Sequence, residues 1–414
     1  MELKRVVVTG LGAISPLGNN LADTWQALVA GVSGAAPITH FDATKFKATF
    51  ACEVKNFDGN KIFGKDARKM DLFTQYAIVA ADEAINDAAF NFDNEDKSRI
   101  GVIWGTGIGG IKTYFDEAKE FVLGDGTPRF SPFFIPKIIA DIAPGHISIR
   151  HGLGGPNFGT VSACASSTTA LCVAFDLIRL GRATAVVSGG SEAPITVSGV
   201  GGFTSMKALS TRNDDPKTAS RPFDKDRDGF VIGEGGACLV LEEYDHAVKR
   251  GAHIYCELVG GAHSADAYHI TAPHPQGDGA ARVMVDALRD ADLKPEDIDY
   301  INVHGTSTPL GDKGELIAIG KVFNDHAYKL NISSTKSMTG HLLGATGALE
   351  AIACVKSIEN GIIPPTINHF TDDPDIDPKL NLTFNEAQQR QVKAAMSNTF
   401  GFGGHNGTLI FKAL

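Results

Sequence analysis

The sequence lacks most of the features that mark a secreted, metal-clasping or membrane protein. Its six cysteines, Cys52, Cys164, Cys172, Cys238, Cys256 and Cys354, are scattered with no CxxC pair. Neither a disulfide framework nor a zinc site is expected, and a cytoplasmic, reducing location is. No stretch reaches the ~18 apolar residues of a membrane helix. Met1-Glu-Leu-Lys-Arg runs into Val6-Val-Val with no signal-length apolar region, so no leader and no membrane insertion are expected. Basic residues are in deficit, with a net charge of −10. That excludes a basic surface broad enough for general nucleic-acid binding and leaves an acidic partner only a local basic patch to meet.

What remains is an ordinary globular composition, 43% hydrophobic and 21% charged, over 414 residues, enough for two core-bearing units. Short β-branched runs (Arg5–Thr9, Ile100–Trp104, Ala185–Ser188, Ala237–Leu241, Tyr300–Val303, Ala394–Asn398) alternate with alanine-rich helical stretches (Phe73–Ala89, Ser166–Leu180, Ala280–Ala291, Ala345–Asn360). Strands separated by helices predict α/β layers. The two halves also echo each other. Ala84-Ile-Asn-Asp-Ala-Ala-Phe is answered by Ala287-Leu-Arg-Asp-Ala-Asp-Leu. Ile103-Trp-Gly-Thr is answered by Val303-His-Gly-Thr, and Ala185-Val-Val-Ser by Ala395-Met-Ser-Asn. The order is the same in both halves, as an old duplication would leave it. The expected boundary lies near Tyr244–Gly251, giving halves of residues 1–250 and 251–414. The first half carries two long insertions, Gly105–Arg150 and Ser191–Val231, fitted to cover a site or to meet another subunit.

Four segments carry candidate chemistry. In Gly159-Thr-Val-Ser-Ala-Cys164-Ala-Ser-Ser a β-like run ends at a cysteine and a helix starts at once. The helix N-terminus is expected to lower the thiol pKa, and a sharp turn exposes the nucleophile. In Asn302-Val-His304-Gly-Thr306-Ser-Thr308 a histidine closes a strand and two hydroxyls follow. In Lys336-Ser-Met-Thr-Gly-His341-Leu-Leu-Gly a lysine and a second histidine lead into a helix that holds Glu350. In Phe400-Gly-Phe402-Gly-Gly-His405 a glycine loop can present backbone N–H groups to an oxyanion. Each alone has a plainer reading: a buried cysteine, a structural histidine, a solvated lysine, a simple turn.

Together these motifs resemble the elongating type II β-ketoacyl-[acyl-carrier-protein] synthases of the thiolase superfamily, over essentially the whole chain. The resemblance implies a thiolase-like layered α/β/α/β/α fold built from two pseudo-repeats. It implies a decarboxylating Claisen condensation of malonyl-[acyl-carrier protein] with an acyl chain held as a thioester on Cys164. In that reading His304 and His341 hydrogen-bond the enolate, Lys336 orients His341 and keeps it neutral, and Glu350 supports them. Phe402 is the gate and, with the Cys164 backbone, the oxyanion donor. Ile108 lines the acyl pocket, and Thr306 and Thr308 contact the phosphopantetheine arm. Lys65, Arg68 and Lys69 dock the carrier protein, with Arg129 and Lys207 as further candidates. The resemblance also implies a homodimer and no resident cofactor, since phosphopantetheine arrives on the carrier. His405 departs from the usual threonine and is read as a tolerated variant. A coenzyme A-dependent thiolase is the alternative, but it needs a second catalytic cysteine that the glycine loop lacks. A non-catalytic chain-length partner would usually lack the nucleophile kept here.

Two further signals are set aside. Gly10-Leu-Gly12 lacks the third glycine and the acidic partner of a dinucleotide fingerprint. Asp224-Lys-Asp226-Arg-Asp228 has glycine at Gly235, where a calcium loop needs a bidentate glutamate. The stretch from Arg221 to Arg227 is expected to form internal salt bridges near the site instead.

Overall fold

The computed structural model describes residues 3–414. Ten strands form one continuous sheet: β1 (Val6–Ile14), β2 (Ile100–Gly105), β3 (Asn157–Thr160), β4 (Ala185–Glu192), β5 (Gly235–Glu243), β6 (Cys256–Ala265), β7 (Tyr300–Asn302), β8 (Asn331–Ser333), β9 (Ala394–Gly401) and β10 (His405–Lys412). Their order is β8-β7-β9-β10-β6-β1-β5-β4-β2-β3. Matching each of the first five strands with the one five places later makes this order a palindrome. In the first half β2 runs parallel to β3 and β4, and β5 is antiparallel to β4 and β1. The second half repeats this with β7, β8, β9, β10 and β6. Within the sheet, a short antiparallel pairing of Val6–Val8 with Cys256–Leu258 joins the halves.

Five helices set the layers: α1 (Leu72–Asp87), α2 (Ser166–Arg179), α3 (Asp278–Asp290), α4 (Pro309–Phe323) and α5 (Thr346–Asn360). Helix α1 covers β1, β4 and β5 from outside, and α3 covers β6 and β10. Helices α2 and α5 pack on each other and on strands of both halves, so they form the middle layer of an α/β/α/β/α stack. Their sequences require that position. Helix α5 is buried from Thr346 to Val355 without a polar face, and a helix apolar or small all round must be enclosed. Strands β1 and β4 are buried at every residue, as strands covered on both faces are.

Close packing also explains the glycines of β1. A Cβ on Gly10 would lie 2.2 Å from the Ala84 carbonyl oxygen, and one on Gly12 would lie 2.1 Å from that of Ala80. These glycines let α1 settle onto the strand. The sequence reading ended β1 at Thr9 and did not identify β6, β10 or α4, whose glycines and charges break the apolar rhythm. The insertion after β2 folds into helices at Ile111–Leu123, Phe134–Ile138 and Ile142–His151.

Candidate active site

The nucleophile turn is built by strain and small residues. Ala163 adopts φ +51°, a left-handed conformation that non-glycine residues rarely hold. It turns the chain from β3 into a short 3₁₀ segment, Ala163–Ala165, just ahead of α2. Cys164 therefore precedes the helix proper. Burial pushes its thiol up to about 11, opposed by the Phe402 backbone N–H and by the charge of Lys336. This corrects the low thiol pKa expected from the helix terminus. A helix dipole contributes about 0.3–1 kcal/mol, less than one pKa unit, whereas burial carries the group about two units from 9.0. The resting thiol is protonated, and its chemistry needs a base.

His341 stands within reach of the thiol. Its Nε2 lies 3.1 Å from Cys164 Sγ, and its Nδ1 lies 3.0 Å from Thr346 Oγ1. With Nδ1–H donating to that hydroxyl, Nε2 is free to accept the thiol proton. His304 stands beside it, ring centroids 5.3 Å apart and nearly perpendicular. The His304 backbone N–H and that of Gly305 both donate to Glu315 on α4, at 2.9 Å each. Burial, then the Lys336 charge, hold both histidines well below the usual imidazole range. Both are neutral at pH 7, and a neutral imidazole offers one N–H donor without carrying a charge into the site.

Lys336 and Glu350 form a buried ion pair behind the histidines, each 2% exposed or less. Burial, partly offset by the ammonium, raises the Glu350 carboxyl to about 8. Phe230, which the sequence reading did not single out, packs edge-on against His341 with centroids 5.2 Å apart.

The glycine loop closes the opposite side. Strands β9 and β10 pair down to Gly401↔His405, leaving Phe402, Gly403 and Gly404 as the turn. Gly403 (φ +84°) and Gly404 (φ +73°) take conformations that favour glycine. A Cβ on Gly401 would sit 3.0 Å from the Cys164 backbone nitrogen, so this glycine lets the loop reach the nucleophile. The loop is tied outward as well: Gly403 N–H donates to the Ile270 carbonyl at 2.8 Å, and Asp266 N–H donates to that of Gly404 at 2.9 Å. His405 is exposed, with its imidazole against Gly403.

One cavity of about 910 Å³ joins these parts. Of the residues singled out in the sequence, Cys164, His304, His341, Phe402, Thr306, Thr308 and Lys207 line it. Thr306 and Thr308 hydroxyls lie 3.0 Å apart. Lys336 and Glu350 stand behind the wall. Ile108 lies outside that lining, with its side chain 36% exposed. Lys65, Arg68 and Lys69 also lie outside it, on a short 3₁₀ segment, Gly64–Lys69, where Lys69 pairs with Asp66 at 2.7 Å. Arg129 is exposed beside Asp125. Sequence reasoning missed Phe203, Met206, Asp266, Ile270 and Leu310 at the cavity wall, because loop residues there follow no periodic pattern.

The charged stretch from Arg221 to Arg227 makes internal salt bridges, with Arg227 paired to Asp373 at 2.6 Å and to Asp312 at 3.4 Å. Asp224 spends its oxygens on the N–H groups of Phe370, Thr371 and Asp226. Cys354 is buried within α5 against the Met396 carbonyl and lines no part of the cavity. Among the described residues, no three His, Cys, Asp or Glu side chains converge as a metal site.

Comparison with known proteins adds matches in sequence and in structure. The family model "Beta-ketoacyl synthase, N-terminal domain" matches residues 3–247, and "Beta-ketoacyl synthase, C-terminal domain" matches residues 255–370. A Synechocystis protein described as 3-oxoacyl-[acyl-carrier-protein] synthase 2 is 51% identical over 413 residues, covering 100% of this chain and 99% of that one. Among solved structures, a beta-ketoacyl synthase from Burkholderia phymatum is 35% identical with a TM-score of 0.91, over 99% of this chain and 100% of that one. A ketosynthase solved with its type II PKS acyl-carrier protein is 32% identical with a TM-score of 0.90, over 100% of both chains.

Proposed function

The chain belongs to the beta-ketoacyl synthase family, and from that premise we propose that Cys164 carries the acyl chain while His304 and His341 drive decarboxylation of the malonyl unit. The protein is a condensing acyltransferase of fatty-acid elongation, acting on thioesters of acyl carrier protein. The single observation that carries the assignment of roles is the contact of His341 Nε2 with Cys164 Sγ at 3.1 Å, inside a cavity shared with His304.

The geometry supports these steps. His341 takes the thiol proton as sulfur attacks the acyl thioester, and the proton leaves on the departing carrier thiol. The backbone N–H groups of Cys164 and Phe402 stabilise the tetrahedral oxyanion. Malonyl-carrier then enters along Thr306 and Thr308. Breaking its C–CO₂ bond leaves the electron pair in an enolate, whose oxygen accepts hydrogen bonds from His304 and from His341 in its other tautomer, with the proton on Nε2 and Nδ1 accepting from the Thr346 hydroxyl. The enolate carbon attacks the Cys164 thioester and expels the thiolate, giving a 3-oxoacyl chain two carbons longer. Lys336 lies outside the cavity, and burial, aided by its charge, keeps both histidines neutral. No step draws on a resident cofactor, because the phosphopantetheine arrives with the carrier.

The remaining readings rest on surface features. The −10 net charge makes the local cluster of Lys65, Arg68 and Lys69 the favoured docking point for an acidic carrier. Strand β3 is an open sheet edge that exposes Phe158 (41%) and, just beyond it, Val161 (62%). Edges of this kind pair with a second copy or are covered, which supports a homodimer. The six cysteines are free and buried, in keeping with a cytoplasmic protein. No helix among the described residues is long and apolar enough to cross a membrane.

Intact mass after mixing with long-chain acyl-carrier protein tests the assignment. Wild type should gain one acyl group, Cys164→Ala none, and malonyl-carrier should discharge the adduct as 3-oxoacyl product. Loading that survives in Cys164→Ala would refute it.

A further inference from the structure

The mechanism uses neither oxygen of Glu192, yet this carboxylate is fully buried at the end of β4. Four donors converge on it. Thr106 Oγ1 (2.9 Å) and Ile108 N–H (3.1 Å) donate to Oε1, and Gly107 N–H (2.6 Å) and Gly344 N–H (3.0 Å) donate to Oε2. The Thr106 hydroxyl itself accepts from Gly109 N–H at 3.3 Å, so its own proton points to the carboxylate. Three backbone donors and one hydroxyl donor leave no acceptor for a carboxylic proton, which makes the ionised form the one that fits. Burial opposes that charge and leaves the carboxyl raised above its ordinary value, with the four hydrogen bonds pulling it back.

The donors belong to two turns that meet at the nucleophile. Thr106–Ile108 follows β2, and Gly344 lies three residues beyond His341 on a turn where Leu343 holds φ +47°. A Cβ on Gly107 would meet Glu192 Oε2 at 2.9 Å, the Ala163 carbonyl oxygen at 3.4 Å and Gly344 N at 3.6 Å, so the carboxylate, the nucleophile turn and the histidine turn share one junction. Glu192 does not line the substrate cavity.

We propose that Glu192 is a positioning residue for acyl transfer, its carboxylate clamping the turn after β2 to the His341 turn and so holding His341 at reach of the Cys164 thiol. This rests on the covalent role of Cys164. Two charges act on that thiol, Lys336 drawing its pKa down and Glu192 holding it up, and the facing groups His341 and His304 are neutral. Removing Glu192's charge at constant shape therefore has a double signature. The thiol ionises more easily, yet acyl transfer slows because its base is misplaced. A merely structural residue would lower stability without that opposition.

The test is Glu192→Gln, an isostere that must turn an amide NH₂ toward N–H donors. Alkylation of Cys164 by iodoacetamide is followed against pH, and the single-turnover rate of Cys164 acylation is measured alongside. The alkylation midpoint should fall by half a unit or more. Acylation at pH 7 should slow at least tenfold with the KM for acyl-carrier unchanged. Thr106→Val, which removes one donor and keeps the charge, should slow acylation about threefold with no shift in midpoint, and it decides the matter if the glutamine variant does not fold. Wild-type acylation rates in both variants overturn the proposal. Wild-type protein that takes no acyl group overturns instead the covalent role of Cys164.

Discussion

Replacing Lys336 with methionine separates the two tasks that its charge performs. In the folded protein the ammonium pairs with Glu350 Oε1, both groups are buried, and Glu350 Oε2 has no hydrogen-bond partner among the described residues. Removing one member of such a pair costs about 3–5 kcal/mol. Unfolding entropy of about 2.1 cal/mol/K per residue over 414 residues converts each kcal/mol into roughly 1 °C, so the Tm should fall by about 3–6 °C. The loss should depend on pH. Glu350 already sits at about 8 against an unfolded value of 4.5, and without the ammonium it rises further. A carboxyl raised on folding stabilises below its unfolded pKa and loses that contribution as pH climbs toward the folded value. The variant should therefore lose stability in parallel with wild type from pH 5 to 7 and go on losing it above pH 8, where the contribution of this carboxyl in wild type levels off. Catalysis responds with the opposite sense of titration. Lys336 helps depress both histidines, so in the variant they gain protons at higher pH and the acid limb of malonyl decarboxylation moves up. The assay is CO₂ release from malonyl-carrier in a Cys164→Ala background, with thermal melts across the same pH range. Lys336→Met/Glu350→Leu should regain most of the Tm and keep the displaced acid limb. An unmoved acid limb in the single variant would refute the electrostatic role.

His304→Ala and His341→Ala should each slow decarboxylation by about 10²–10³, the cost of one oxyanion donor, and only His341→Ala should also slow Cys164 acylation, read by intact mass. Wild-type decarboxylation should stay flat from pH 8 to below 6.5, because both imidazoles are held neutral and their contribution is lost only as pH falls through the depressed values. Gly401→Ala should cut acyl loading sharply at unchanged carrier affinity, since its Cβ would press on the Cys164 nitrogen and the Ser162 oxygen. Lys65→Glu/Arg68→Glu/Lys69→Glu should raise the KM for acyl-carrier about tenfold, falling toward parity at high salt, and leave malonyl-coenzyme A decarboxylation unchanged. Phe158→Asp should shift the protein toward monomer in sedimentation.

The four reactive motifs were legible because each pairs a rare chemistry-bearing residue with glycines at a strand end, and spacing alone fixes that neighbourhood. The duplicated order of elements was legible too, from echoes such as Ile103-Trp-Gly-Thr and Val303-His-Gly-Thr. The resting state of Cys164 was not. Whether a thiol beside a helix is ionised depends on how completely it is buried, and burial is set by the Gly401 loop more than two hundred residues away. Glu315 and Glu192 were invisible for a related reason. A carboxylate that collects backbone N–H groups from a distant turn leaves no local pattern. The missed β6 and β10 carry Gly260, Gly261 and Gly407, which tertiary contacts with Ala287, Cys172 and Thr168 accommodate.

The palindromic sheet implies that the fold has two equivalent places for a nucleophile and has kept one. Each middle-layer helix begins after a strained residue and a 3₁₀ turn, Ala163 before Cys164 in one half and Leu343 before Gly344 in the other. Counted along the paired strands, Trp104 stands where His304 does, and Glu192 stands where Phe402 does. The silent counterpart is filled: Trp104 is fully buried against Ser191, and a Cβ on Gly344 would strike Gly107 N at 2.3 Å. A cysteine introduced there would have no room for an acyl group. Duplication thus released one copy of the turn from chemistry to become the abutment of the other. Drift in that silent half is constrained by shape rather than by reactivity, and its losses should surface first as misplacement of groups in the working half.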